Sequence, residues 1–129
     1  MLHYAVVFLV IARTMPVPLL TVAELTNNPS RWHGRKVMVR GWLTTCLGED
    51  CAITSWPLLE WEQHKRDFPP LIAIAETDSA FDLAARKLPY REVVITVRFR
   101  ADCYRPGAVC LDRYGGATPI PGEPIRLVR

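Results

Sequence analysis

Two stretches of strict two-residue alternation constrain this chain more than any other feature. Over residues 35–45, Val37, Val39, Gly41 and Leu43 fall on one side, and Lys36, Met38, Arg40 and Trp42 on the other. Over residues 93–103, Val93, Ile95, Val97, Phe99 and Ala101 share one side, and Val94, Thr96, Arg98 and Arg100 the other. Successive side chains of a strand point to opposite faces. Each stretch therefore predicts a long half-buried strand whose apolar side must be covered. Shorter runs at 52–55, 71–75 and 125–128 supply three further strands.

Helix signals lie between them. Thr21 stands three residues before Glu24, the spacing of a capping box, and opens a short helix over 22–27 that Asn28-Pro29 ends. Asp78 or Ser79 caps a second helix over 80–88, stopped by Pro89. Residues 46–51 and 103–110 read as turns, 14–18 as a Pro-rich linker, and 56–70 as an irregular surface excursion. The chain is thus expected to be mainly β with short helices. Five strands, an N-terminal helix and a helix between strands 3 and 4 follow the order of a five-stranded OB-fold-like barrel, whose closure removes the open sheet edges. With 129 residues, the chain can bury roughly two thirds of its unfolded surface. It does not need a metal or a cross-link merely to fold.

The segment from Val22 to Leu43, with its short helix, Asn28-Pro29, Trp32, the Gly34 turn and the Val37-x-Val39-x-Gly41 strand, resembles the opening of uncharacterised small exported bacterial OB-fold proteins. Several of these carry a cysteine pair in the first hairpin. It is also similar to the first strand of nucleic-acid-binding, anticodon-type OB domains. The resemblance covers about 25 residues well and the remainder in element order only. It implies a fold. OB-folds bind nucleic acids, saccharides or proteins, so it names no ligand.

Residues 1–15 form a segment apart from the expected domain over 19–129. Residues 4–12 (YAVVFLVIA) are uninterruptedly apolar, too short to span a bilayer and of the length of a signal-peptide core. Val10 and Ala12 suit the −3 and −1 positions of a cleavage site, but no basic stretch precedes the run. The segment is read as a signal peptide, and a truncated or misassigned start would explain the missing basic stretch. A buried strand and an uncleaved anchor are the alternatives. Export leads to a periplasmic or secreted location, with the cytoplasm as the alternative, and no stable transmembrane helix is expected.

Four cysteines fit that setting. Cys46 and Cys51 bracket one turn and Cys103 and Cys110 the other, so two local disulfides are expected. Crossed disulfides, free thiols and a four-cysteine zinc site remain open. The zinc site is disfavoured because the gaps of four and six residues exceed the usual knuckle spacing in at least one half.

Two surfaces are candidates for binding. Lys36, Arg40 and Trp42 on the first long strand, with Arg98 and Arg100 on the second, would combine cations for phosphates with a ring for base stacking. A solvated barrel face explains the same residues, and the net charge of +3 favours that plainer reading. Trp56, Trp61 and His64 in the excursion form a second candidate, a partner-binding loop, although such tryptophans often only cover a core. Catalysis has little support. No His-Glu-x-x-His, Gly-x-Ser-x-Gly or phosphate-binding glycine loop occurs, and no cofactor is expected.

The leading expectation is a non-enzymatic exported binding or accessory module for an unknown protein or small ligand. A single-stranded nucleic-acid binder is the first alternative, and a cysteine-based metal or redox protein the second.

Overall fold

The computed structural model describes residues 16–47, 50–63, 67, 69–104 and 116–129. Residues 1–15, His64, Cys110 and the expected turn at 105–108 lie outside them.

In chain order the elements are β1 (Leu19–Thr21), α1 (Val22–Asn27), α2 (Pro29–Trp32), β2 (Lys36–Leu43), β3 (Ala52–Thr54), α3 (Leu58–Gln63), β4 (Leu71–Ala73), α4 (Ser79–Arg86), β5 (Glu92–Phe99), a 3-10 turn (Asp102–Tyr104), β6 (Ala117–Pro119) and β7 (Arg126–Leu127). Thr21 accepts from the Glu24 backbone N–H at 3.2 Å, and the Glu24 carboxylate accepts from the Thr21 N–H at 3.1 Å, which completes the capping box. Asp78 caps α4 by accepting from the Phe81 N–H at 2.8 Å.

The two alternating stretches become the two long strands, antiparallel neighbours at the middle of one sheet. Lys36 faces Arg98, Val39 faces Ile95 and Trp42 faces Glu92. The outer edge of β2 is shared by β1, parallel at Met38 to Arg40, and by β3, antiparallel at Trp42 and Leu43. The outer edge of β5 is likewise shared by β6 and β7. β4 extends the sheet beyond β3.

The expected five-stranded closed barrel is corrected to an open seven-stranded sheet running β4-β3-β2-β5-β6, with β1 and β7 off that path. β4 and β6 do not pair as strands. Among the described residues they meet at the parallel bridge between Ile74 and Ala117, where the Ala75 N–H donates to the Ala117 carbonyl at 3.0 Å. The expectations of a mainly β chain and of a helix between the third and fourth expected strands hold, with α4 in that place.

The core follows the alternation. Val37, Val39 and Leu43 of β2 and Val93, Ile95, Val97 and Phe99 of β5 are buried, joined by Val22 and Leu25 of α1, Ile53, Ile72, and Phe81 and Ala85 of α4. Gly41 sits where the edge of β2 passes from β1 to β3. A Cβ there would lie 2.6 Å from the Thr54 carbonyl oxygen, so only glycine lets β3 approach.

Cys46 and Cys51 are joined by a disulfide across the β2–β3 connection. Cys103 is also disulfide-bonded, to a partner outside the described residues. The bonded Cys46–Cys51 pair excludes the crossed, free-thiol and zinc alternatives for those two cysteines. Such bridges persist in oxidising, extracellular-type compartments. No helix among the described residues is long and apolar enough to cross a membrane.

Candidate functional site

The basic face is the more dispersed of the two candidates. Lys36 and Arg98 stand directly opposite each other, and like charges in that position repel. Three of the four cations are taken up by carboxylates: Lys36 with Glu123 at 3.7 Å, Arg40 with Glu92 at 3.3 Å, and Arg100 with Asp102 at 3.1 Å. Arg98 donates to the Gly34 carbonyl at 2.9 Å. These exposed pairs contribute little to stability, but they offset the charge that a phosphate backbone would need. Trp42 does not join Arg98 and Arg100. It lies six residues along β2 from Lys36, about 20 Å at the rise of a strand. Of the expected set, Arg40 is the cation beside Trp42, two residues away on the same face, and Glu92 pairs with it.

Trp42 belongs instead with the second candidate. At the end of β2 it lines a cavity of about 240 Å³ together with Leu43, Thr44, Thr54, Trp56, Leu58, Trp61 and Tyr90. Three rings come from two stretches of the chain, Trp42 from one and Trp56 and Trp61 from the other, and local causes bring each one in. Trp42 stands on the outward face of β2 beside Thr54, its partner on β3. Trp56 follows that strand directly, and its carbonyl accepts from the Thr54 hydroxyl at 2.9 Å. The excursion after it is not wholly irregular, because Pro57 opens α3. The Pro57 carbonyl accepts from the Glu60 and Trp61 N–H groups at 3.0 and 3.3 Å. Leu58 and Trp61, three residues apart, share one side of this turn of helix and both line the cavity. The Ser55 N–H donates to the Pro70 carbonyl at 3.0 Å and ties the two ends of the excursion together.

The fourth ring arrives from the turn between α4 and β5. Tyr90 adopts a left-handed backbone conformation (φ 60°), which is strained for a bulky side chain. Its N–H donates to the Leu43 carbonyl at 3.0 Å, and the Leu43 N–H donates to the Arg91 carbonyl at 3.0 Å. The turn is thereby clamped to the end of β2 and delivers the tyrosine to the cavity wall.

Leu43 and Thr54 are buried, the three tryptophans and Thr44 are half-buried, and Leu58 and Tyr90 are exposed at the mouth. Tyr90 and Leu58 are lining residues that the sequence reading did not single out. His64 lies outside the described residues. The fourth tryptophan, Trp32, is elsewhere, with the guanidinium groups of Arg31 and Arg35 at 4.8 and 5.0 Å from its ring centre. Among the described residues, no three His, Cys, Asp or Glu side chains are grouped to hold a metal ion. No family model matches this chain, and none of the curated proteins or solved structures compared with it is significantly similar.

Proposed function

We propose that this protein is a non-enzymatic, exported binding module that seats its ligand in the aromatic pocket formed by Trp42, Trp56, Trp61 and Tyr90. The observation that carries the reading is the convergence of four rings from β2, the β3–α3 junction, α3 and the α4–β5 turn on one concave site. Ligand seats are concave and mostly apolar, with large aromatic walls. Ordinary drug-sized sites occupy about 300–1,000 Å³, so this smaller cavity suits one compact chemical group.

The fold reading behind the proposal is an OB-like order of strands and helix in an open sheet. The sheet path, the position of α4 and the bridge between Ile74 and Ala117 support it. The disulfide supports export to the periplasm or beyond. Single-stranded nucleic acid has less support, because Lys36, Arg40 and Arg100 are paired with carboxylates and Lys36 and Arg98 stand at the far end of the strands from Trp42.

The test is a panel of compact ligands of distinct chemistry: a quaternary ammonium ion, a methyl glycoside, a mononucleotide and a proline-rich peptide. Binding is read by tryptophan fluorescence in the full chain and in Trp61→Leu. Saturable binding of one class that the substitution removes is the expected result. No response to any class, or responses indifferent to Trp61, would overturn the assignment of the pocket.

A further inference from the structure

The chemistry of the pocket walls narrows the ligand class. Among the described residues, the lining holds no carboxylate, amide or guanidinium side chain. Its two threonine hydroxyls are already engaged: Thr44 donates to the Ala52 carbonyl and accepts from the Ala52 N–H, and Thr54 donates to the Trp56 carbonyl. A sugar ring or a base edge brings several donors and acceptors, for which the described lining offers only indole N–H donors and the Tyr90 hydroxyl, and burying the remainder without partners is costly. An anion would find no cation among the described lining residues. A primary ammonium would carry N–H donors into walls that hold no charged acceptor. A fully methylated ammonium has no N–H to satisfy, and its charge is attracted to the faces of aromatic rings.

Carboxylates stand next to two of the lining tryptophans. Glu60 and Glu62 flank Trp61 on α3 and form no ion pair among the described residues. Glu92 stands across from Trp42 in the sheet, although Arg40 shares its charge. Within the described residues the chain's own guanidinium stacking falls on Trp32 and leaves the rings of Trp42 and Trp61 without one.

Resting on the pocket reading above, we infer that this site binds a quaternary trimethylammonium group, carried by a free solute or by a lipid headgroup. The rings of Trp42, Trp61 and Tyr90 hold the methylated cation, and Glu60 and Glu62 set the local potential.

The experiment titrates the full chain with choline and, separately, with 3,3-dimethyl-1-butanol, in which a carbon replaces the charged nitrogen. Choline is expected to bind saturably and the neutral isostere about tenfold more weakly or less. Trp61→Leu should weaken choline by about tenfold. Leu58→Lys changes a side chain already exposed at the mouth, so the fold should tolerate it. This variant should weaken choline by about tenfold through like-charge repulsion and weaken the neutral isostere less, because only choline meets the added charge. Sedimentation with phosphatidylcholine vesicles, but not with phosphatidylglycerol vesicles, and release by excess choline would assign the group to a lipid headgroup. Binding of free choline alone would assign it to a solute. Equal binding of choline and the isostere, or choline binding indifferent to Leu58→Lys, would overturn the inference and leave a pocket for apolar groups. Failure of choline with success of another class in the ligand panel would overturn it in the same way. Failure of every class would remove the pocket reading as well.

Discussion

Gly41→Ala tests the packing that positions the pocket. The added methyl would lie 2.6 Å from the Thr54 carbonyl oxygen, 2.9 Å from Ile53 Cγ1 and 3.1 Å from Val22 Cγ2, where ordinary contacts begin at 3.4 Å. The nearest atom is backbone, so relief requires β3 to move away from β2. Forcing a methyl into a packed core costs about 1–3 kcal/mol. Replacing glycine also removes freedom from the unfolded chain, which returns about 0.4–1 kcal/mol. The net expectation is a loss of about 1–2 kcal/mol, or a fall in Tm of roughly 4–8 °C for a domain of this size. Urea unfolding should show a lower midpoint with an unchanged slope. Because Trp42 and Thr54 face each other beside Gly41 and both line the cavity, ligand binding should weaken too. Gly34→Asn is the control. Gly34 has φ 72° with open space around it, and asparagine tolerates that conformation, so stability should barely change. A Gly41→Ala protein as stable as the original, or more so, would refute the argument. It would mean that backbone entropy outweighs the close approach of β3.

Three other outcomes follow from the same structure. Replacing both Cys46 and Cys51 by serine opens a loop of sequence separation 5 and should cost about 2 kcal/mol on the chain-entropy model, measured by urea unfolding with and without reductant. Asp78→Ala removes the cap on α4 and should cost about 1 kcal/mol, read as a lower Tm with the sheet signal in circular dichroism retained. Single-stranded oligonucleotides should show no saturable binding at low salt in a fluorescence anisotropy titration. Tight binding with a steep salt dependence would instead establish Lys36, Arg98 and Arg100 as a phosphate track.

The parts of the fold legible in the sequence are those where one physical signal persists over many residues. β2 and β5 each alternate for eight residues, and the inward set read from the pattern is the buried set observed. α1 was bounded by a capping box and by Asn28-Pro29, signals that need no tertiary context. The missed elements are short and owe their form to neighbours. β1 has three residues directly after the Pro-rich segment and exists because β2 offers an edge. β6 includes Pro119 and lies in a Gly/Pro-rich stretch that argues locally against a strand. α3 did carry a usable signal, Pro57 followed by Leu58 and Trp61 at helical spacing.

The candidate site was half legible. The sequence presents Trp56 and Trp61 as a loop and groups Trp42 with arginines, because it shares their face of the strand. Matching the two alternations in register places Trp42 against Glu92, at the start of β5 and the far end from Arg98. That step also brings the α4–β5 turn, and hence Tyr90, to the same place. Nothing in the sequence near Tyr90 announces its left-handed backbone, which the bonds to Leu43 and the turn impose.

The central claim is that the protein acts through the aromatic pocket, and the four tryptophans test it directly. Their indole N–H groups are resolved in a nitrogen-15 correlation spectrum and assigned by single substitutions, then followed during titration with choline and the other ligand classes. The account predicts saturable shifts at Trp42, Trp56 and Trp61 and none at Trp32. Shifts confined to Trp32, or to the arginine side chains of the β2–β5 face, would contradict it.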